Sequence, residues 1–116
     1  MAWVTLDDAF PDHRKIAGLS DAAFRLHVAG ICHAARHLTD GLIEAAEVPR
    51  LVRRYRRQAL AELVSRGLWT GVGTAESPAA YAIHDYLDWQ DTRERVLARK
   101  AAAAAKKRRQ RRGGDT

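Results

Sequence analysis

The chain has 116 residues, 47% of them hydrophobic, which is the size and composition of one small domain. Its formal net charge of +6 and isoelectric point near 10.1 favour acidic partners, nucleic acid ahead of an anionic membrane. The single cysteine, Cys32, excludes an internal disulfide, and no apolar run approaches the roughly 20 residues of a transmembrane helix.

The start of the chain, "MAWVTLDDAF", lacks the basic and apolar regions of a signal peptide, so we expect a cytoplasmic protein. The basic charge is concentrated late in the sequence. Residues 1–92 carry 10 Lys/Arg and 12 Asp/Glu, whereas residues 93–116 carry 10 and 2. We therefore expect two parts, a folded domain over residues 1–91 and a basic C-terminal helix with a disordered tip over residues 92–116.

The first third of the chain predicts a short strand and two helical segments. The strand covers Trp3 to Leu6, and one or two helical turns begin near Pro11 and close at Gly18. Ser20 is a good N-cap for a helix from Asp21 to about His37. Five apolar residues of this helix predict one buried stripe: Phe24, Val28, Ile31, Cys32 and Ala35.

The middle of the chain predicts a turn, a short strand and two helices. Asp40-Gly41 is a tight turn with a strand at Leu42-Ile43 beyond it. A short second helix has Pro49 in its first turn and the apolar residues Val48, Leu51 and Val52. A third helix ends at Gly67 and buries Leu60, Leu63 and Val64.

The last third predicts a β-hairpin and a final helix. "LWTGVG" and "YAIHDY" flank a loop with Gly, Ser and Pro. Asp91 and Glu94 have the spacing of a capping box, so the final helix should start near Thr92. Its run of alanines, residues 101–105, favours a helix but offers no apolar stripe, and "GGDT" should form the disordered tip.

This order of elements is that of a winged helix-turn-helix, a mainly α domain with a small β-hairpin (α+β). An unrelated α+β domain remains the alternative. The predicted core consists of Phe24, Val28, Ile31, Leu51, Leu60, Leu63, Val64, Leu68 and Ile83. The remaining aromatic residues are predicted to pack in the core or on the hairpin: Trp3, Trp69, Tyr81, Tyr86 and Trp89. Tyr86 and Trp89 are expected to attach the end of the hairpin to the rest of the domain.

The residues predicted to bind DNA fall into two groups. The first surrounds the start of the third helix, where a helix-turn-helix approaches the duplex: Arg50, Arg53, Arg54, Arg56 and Arg57. Their guanidinium groups suit phosphates or guanine edges, the alternative being an ordinary solvated helix face. Tyr55 between them is expected at the core or its edge, and stacking on a base is the alternative. The second group is a tail that would neutralise phosphates without reading sequence: Lys106, Lys107, Arg108, Arg109, Arg111 and Arg112. A solubilising tail or an RNA-binding arm is the alternative.

The sequence does not predict an enzyme, a cofactor or a metal site. His33 and His37 have the i, i+4 spacing of zinc ligands beside Cys32, but Ala34 stands where a zincin has its glutamate and no third ligand is evident. His84 and Asp85 are interpreted as structural residues of the hairpin.

Four segments, "LSDAAFRLHVAG", "LTDG", "ELVSRGLW" and "YAIHDYLDWQ", resemble the small winged-helix proteins of actinobacterial phages and prophages. Those proteins are similar to the N-terminal domain of DnaD-like replisome organisers and phage replication initiators. The resemblance covers roughly residues 2–100 and implies a protein that binds double-stranded DNA in replication initiation, with a helicase or primase as candidate partners. A transcriptional regulator of a mobile element, or a protein-binding adaptor with an RNA-binding tail, are the alternatives.

Overall fold

The structure is a computed structural model that describes residues 3–90 and 92–114, without the side chains of Asp88, Trp89 and Arg112. This part of the chain belongs to the α+β class. Its α-helices are α1 (Arg14–Ala17), α2 (Asp21–His37), α3 (Arg57–Ser65), α4 (Tyr86–Trp89) and α5 (Arg93–Gly114). Its strands are β1 (Leu42–Glu44), β2 (Trp69–Gly73) and β3 (Pro78–Ile83), and two 3-10 helices cover Phe10–Asp12 and Ala45–Arg50.

The three strands form one antiparallel sheet in the order β1-β3-β2. The predicted hairpin is confirmed as β2 and β3, in which Thr70 pairs with Ala82. The short strand predicted at Leu42-Ile43 is confirmed as β1, and its Ile43 pairs with Tyr81. Strand β1 is not adjacent to the hairpin in the sequence. The 3-10 helix Ala45–Arg50 and α3 lie between β1 and β2 along the chain.

Helix α2 has the predicted bounds, but its predicted buried stripe is wrong. The Ser20 hydroxyl accepts a hydrogen bond from the Ala23 N–H and caps the helix as expected. Of the five predicted stripe residues, Ile31 is buried and the other four are partly buried. The buried face consists of Ala23, Leu26, His27, Gly30, Ile31 and Ala34. The prediction considered hydrophobic residues only, and it therefore missed the glycine and the histidine on the buried face.

Two other local predictions are confirmed and one is wrong. Asp40 and Gly41 both have positive φ (53° and 91°), as the predicted tight turn requires. Helix α3 ends in a Schellman motif at Gly67, whose N–H bonds the Val64 carbonyl while the Leu68 N–H bonds that of Leu63. The second helix is a 3-10 helix that has Pro49 next to its last residue instead of in its first turn.

The predicted strand from Trp3 to Leu6 does not form. In its place, the Gln90 side chain supplies the hydrogen bonds that a neighbouring strand would provide. Its Oε1 accepts from the Thr5 N–H at 2.8 Å, and its Nε2 donates to the Thr5 carbonyl. Trp3 is 86% exposed, so its predicted place in the core is also wrong.

The core lies between α2, α3 and the sheet. Four of the nine predicted core residues are buried: Ile31, Leu63, Leu68 and Ile83. Phe24, Leu51 and Leu60 pack against this core while partly buried, but Val28 is only half-buried and Val64 is 40% exposed. Trp69 and Tyr86 are buried, and Tyr81 is partly buried, as expected; the Trp89 side chain lies outside the description.

The final helix begins where the sequence predicts. The Thr92 hydroxyl accepts the Arg95 N–H and caps α5, whereas Asp91, the predicted partner in the capping box, lies outside the described residues. The predicted tip "GGDT" is helical over Gly113 and Gly114, and residues 115–116 are not described. No helix in the described part of the chain is long and apolar enough to span a membrane.

Candidate nucleic-acid interface

The turn between the 3-10 helix Ala45–Arg50 and α3 combines apolar anchors with exposed arginines. Leu51, Val52 and Tyr55 are partly buried and pack against the core. Burial raises the pKa of the Tyr55 hydroxyl above its usual value, as expected for a residue at the edge of the core. The arginine turn (Arg50, Arg53, Arg54, Arg56 and Arg57) lies between and beside these anchors, and all five side chains are exposed. The anchors therefore hold the backbone that presents the five cations together.

The arginine turn has little acid to neutralise it. Arg50 lies 3.9 Å from Glu47, and in the described residues no carboxylate is within salt-bridge distance of the other four arginines. Glu62, the first acidic residue after the turn in the sequence, already makes other hydrogen bonds. Its Oε2 accepts hydrogen bonds from both the N–H (2.8 Å) and the hydroxyl (3.2 Å) of Ser20, which joins α3 to the start of α2.

The N-terminus of α3 adds to this positive charge. Arg56 is the N-cap residue and Arg57 the first helical residue, and no described side chain caps the first turn with a hydrogen bond. Free N–H groups and the helix dipole make a helix N-terminus positive, so cations here are unfavourable unless an anion is bound. The arrangement thus lowers the stability of the free protein and suits a phosphate.

The exposed face of α3 was not identified from the sequence. Arg57, Gln58, Ala61, Val64 and Ser65 are all exposed, and at 100° per residue they form one face about 120° wide. The opposite side packs on α2 through Ala59 and Leu63, which are buried. Glu62 is the sole acid of α3 and lies off this face. The face therefore carries no carboxylate. The small side chain of Ala61 would allow another molecule to approach the helix closely.

The tip of the β2–β3 hairpin has a different character. Its loop, residues 74–77, contains Glu76 and no basic residue. The loop is closed by the Thr74 hydroxyl, which donates to the Ser77 carbonyl and accepts from the Ser77 N–H. An acidic tip repels phosphates, so this hairpin does not suit insertion into a DNA groove.

Helix α5 separates the tail from the body. The Arg93 N–H donates to Oδ1 of Asp40 at 2.6 Å and ties the first turn to the turn before β1. The helix has 22 residues and is about 33 Å long at 1.5 Å per residue. The cations near its far end are exposed: Lys106, Lys107, Arg108, Arg109 and Arg111. The sixth predicted tail residue, Arg112, has no described side chain.

The histidine pair of α2 offers an incomplete metal site. The rings of His33 and His37 lie 4.4 Å apart. Burial, reinforced by the neighbouring His37, lowers the pKa of His33. Within residues 3–90 and 92–114 no group of three or more His, Cys, Asp or Glu could hold a metal ion, and Cys32 is only half-buried. Two ligands fall short of the four that a structural zinc site uses.

His84 and Asp85 form an exposed pair at the end of β3. His84 Nε2 lies 3.1 Å from Asp85 Oδ2, and each side chain is about half exposed. Asp85 has a φ of 57° and turns the chain into α4. Both residues also line a cleft, so their interpretation as purely structural residues stays a prediction.

No protein-family model matches the chain, and no curated protein and no solved structure matches it either. The resemblance to phage and prophage winged-helix proteins therefore stays a prediction.

Proposed function

We propose that this chain is a winged helix-turn-helix protein that binds double-stranded DNA. The observation that carries the proposal is the arginine turn, five exposed arginines on an apolar-anchored turn, four of them without a described acidic partner. A solvated face of an ordinary helix usually mixes signs of charge. Here like charges gather at a helix N-terminus, where they are favourable only beside an anion.

The topology supports the same proposal. Helix α2, strand β1, the 3-10 helix Ala45–Arg50, helix α3 and the β2–β3 hairpin follow one another in the order of a winged helix-turn-helix. In that architecture the helix in the position of α3 enters the major groove. Its free face, centred on Ala61, would then lie against the bases.

The position of each residue determines whether it would contact bases or phosphates. Arg57 and Gln58 begin α3, where side chains reach deepest, and they suit the edges of guanine and adenine respectively. Arg53 and Arg54, in the turn before the helix, would hold phosphates. Ala61 is small enough to contact a thymine methyl group.

The tail would supply a second, sequence-independent contact. The hairpin tip bears an acid and offers no cation to the backbone of DNA, whereas the far end of α5 bears a dense row of exposed cations. We infer that α5 takes the place of the wing as the second point of attachment. Such contacts add affinity without preference for sequence.

The biological role we propose is replication initiation in a phage or prophage, in the cytoplasm, with a helicase or primase as partner. This part rests on the resemblance of the four sequence segments. A specific duplex footprint is common to this role and to a transcriptional regulator, and a protein-binding adaptor with an RNA-binding tail would lack it.

The test is binding of the full chain to a labelled random-sequence duplex by fluorescence anisotropy. In one variant Arg53, Arg54, Arg56 and Arg57 are changed to glutamine. The control loses the same charge from α1 and α2, by changing Arg14, Lys15, Arg25 and Arg36 to glutamine, all exposed. We expect the first variant to bind much more weakly than the control. Equal loss in both would show that net charge alone matters and would refute the proposed surface.

A further inference from the structure

A cleft lies on a part of the molecule away from the arginine turn. It has a volume of about 490 Å³, opens to solvent, and is lined by residues from the segment 5–16, the middle of α2, the base of the hairpin and the region of α4. This volume is within the usual range for small-molecule sites. Its apolar walls consist of Leu6, Phe10, Ile16, Ile31, Leu68 and Ile83.

A buried histidine gives the cleft one specific polar group. His27 lines the cleft and is 4% exposed. Its Nδ1 accepts a hydrogen bond of 2.9 Å from the indole N–H of Trp69. Since Nδ1 is the acceptor, the proton of the neutral ring is on Nε2, which makes that nitrogen a donor.

The Nε2–H donor has no hydrogen-bond partner in the described part of the chain. His27 makes no other hydrogen bond among the described residues. In this part of the chain, every buried side-chain nitrogen or oxygen that is closed to solvent has a hydrogen-bond partner. An unbonded Nε2 therefore keeps contact with solvent, and the cleft is the solvent-filled space that His27 lines.

The surroundings of His27 determine the class of molecule that fits. Burial lowers the pKa of His27 to about 4, so the ring is a neutral donor near neutral pH. The Phe10 ring lies nearly parallel to the imidazole, with centroids 6.0 Å apart and planes 16° from parallel, so two aromatic rings of similar orientation line the cleft. Apart from His27, the lining has three aspartates beside one lysine and two histidines, and one of these aspartates is paired with a histidine, so it favours an uncharged molecule over an anion.

We propose that this cleft is a binding site for a small, uncharged, planar apolar molecule with a carbonyl oxygen that accepts the Nε2–H of His27. The apolar walls bury the body of the molecule, and the single donor fixes its orientation. None of the residues that line the cleft belongs to the arginine turn, so this proposal does not depend on the proposed DNA-binding function.

The experiment is an NMR titration of the full chain with three probes of similar size, followed at the histidine ring nitrogens and the backbone amides. Acetophenone has the carbonyl, ethylbenzene lacks it, and benzoate carries a charge. We expect acetophenone to shift the signals of His27 Nε2 and of the cleft and to bind roughly two- to tenfold more tightly than ethylbenzene. Benzoate should bind least, because a neutral imidazole does not compensate for its desolvation.

Two variants identify the place of binding. Ala9→Trp puts an indole at an exposed position on the lining of the cleft, and Ala101→Trp puts one on the exposed surface of α5, away from the cleft. Acetophenone binding should be lost in the first variant and kept in the second. The proposal is overturned if acetophenone shifts no cleft signal up to its solubility limit, if it binds no better than ethylbenzene, or if Ala9→Trp binds it as the parent does.

Discussion

The ring of Trp69 lies so close to Gly30 that a Cβ at position 30 would stand 2.5 Å from Cζ2 of the indole. The same indole donates its N–H to His27, one turn earlier on α2. A single side chain from β2 thus fixes both the distance and the rotation of α2 against the sheet. It also explains why a glycine and a histidine lie on the buried face of this helix.

Gly30→Ala should therefore destabilise the protein, although alanine is the better helix former. In an open helix the change would stabilise by about 1 kcal/mol. Here the methyl group meets a fully buried ring, and overpacking of this kind typically costs about 1–3 kcal/mol. Urea unfolding measures the difference. Gly18→Ala is the control, because its Cβ would meet only the flexible end of Arg66. A Gly30→Ala protein as stable as the parent would contradict the packing described.

The burial of His27 predicts a loss of stability in acid. Its pKa falls from 6.5 to about 4 on folding, so between these values the unfolded chain binds more protons. The stability linked to this residue is complete above pH 6.5 and falls progressively to pH 4, by about 3 kcal/mol in total. His27→Gln keeps a possible acceptor for Trp69 but does not titrate. The stability of the parent should therefore decline relative to this variant over that range, and parallel curves would show that His27 is not the cause.

A better N-cap residue on α3 should raise the stability of the protein and weaken its binding to DNA. Arg56 makes no side-chain capping bond, and its charge opposes the helix dipole. Arg56→Ser supplies a capping hydroxyl and should raise the free energy of unfolding by about 1 kcal/mol. The same change should weaken duplex binding, since it removes a cation from the proposed surface. If Arg56→Ser gains stability and binds DNA unchanged, Arg56 does not belong to the interface.

The tail should contribute an attraction that salt removes. The slope of log affinity against log salt is about −0.9 for each phosphate neutralised. Changing Lys106, Lys107, Arg108, Arg109 and Arg111 to glutamine keeps good helix formers in α5 and should flatten this slope for all duplexes equally. An unchanged slope would mean that the tail does not touch DNA.

The features that the sequence predicted well depend on neighbouring residues. The Ser20 cap, the turn at Asp40 and the helix end at Gly67 each follow from the backbone preferences of one or two residues. The hairpin of β2 and β3 likewise follows from two short strand-forming segments on either side of a loop with Gly, Ser and Pro.

The features that were missed depend on contacts between distant parts of the chain. The rotation of α2 is set by Trp69, 42 residues from its partner His27. The free face of α3 depends on which side meets α2, and for that reason Val64 was assigned to the core while Gln58 was overlooked. The arginine turn could be located from composition, but its apolar anchors and the engagement of Glu62 by Ser20 could not.

The most direct test of the central claim is the effect of Arg57→Ala on sequence preference. A preferred duplex is first selected from a random pool with the full chain. Arg53→Ala and Arg54→Ala serve as matched controls, and each protein is measured on the selected duplex and on a scrambled one. We expect Arg57→Ala to cost about 1–3 kcal/mol on the selected duplex and to relax preference at one position. The two controls should weaken binding equally on both duplexes. If all three variants bind both duplexes as the parent does, the arginine turn is a solvated surface and the proposed DNA interface is wrong.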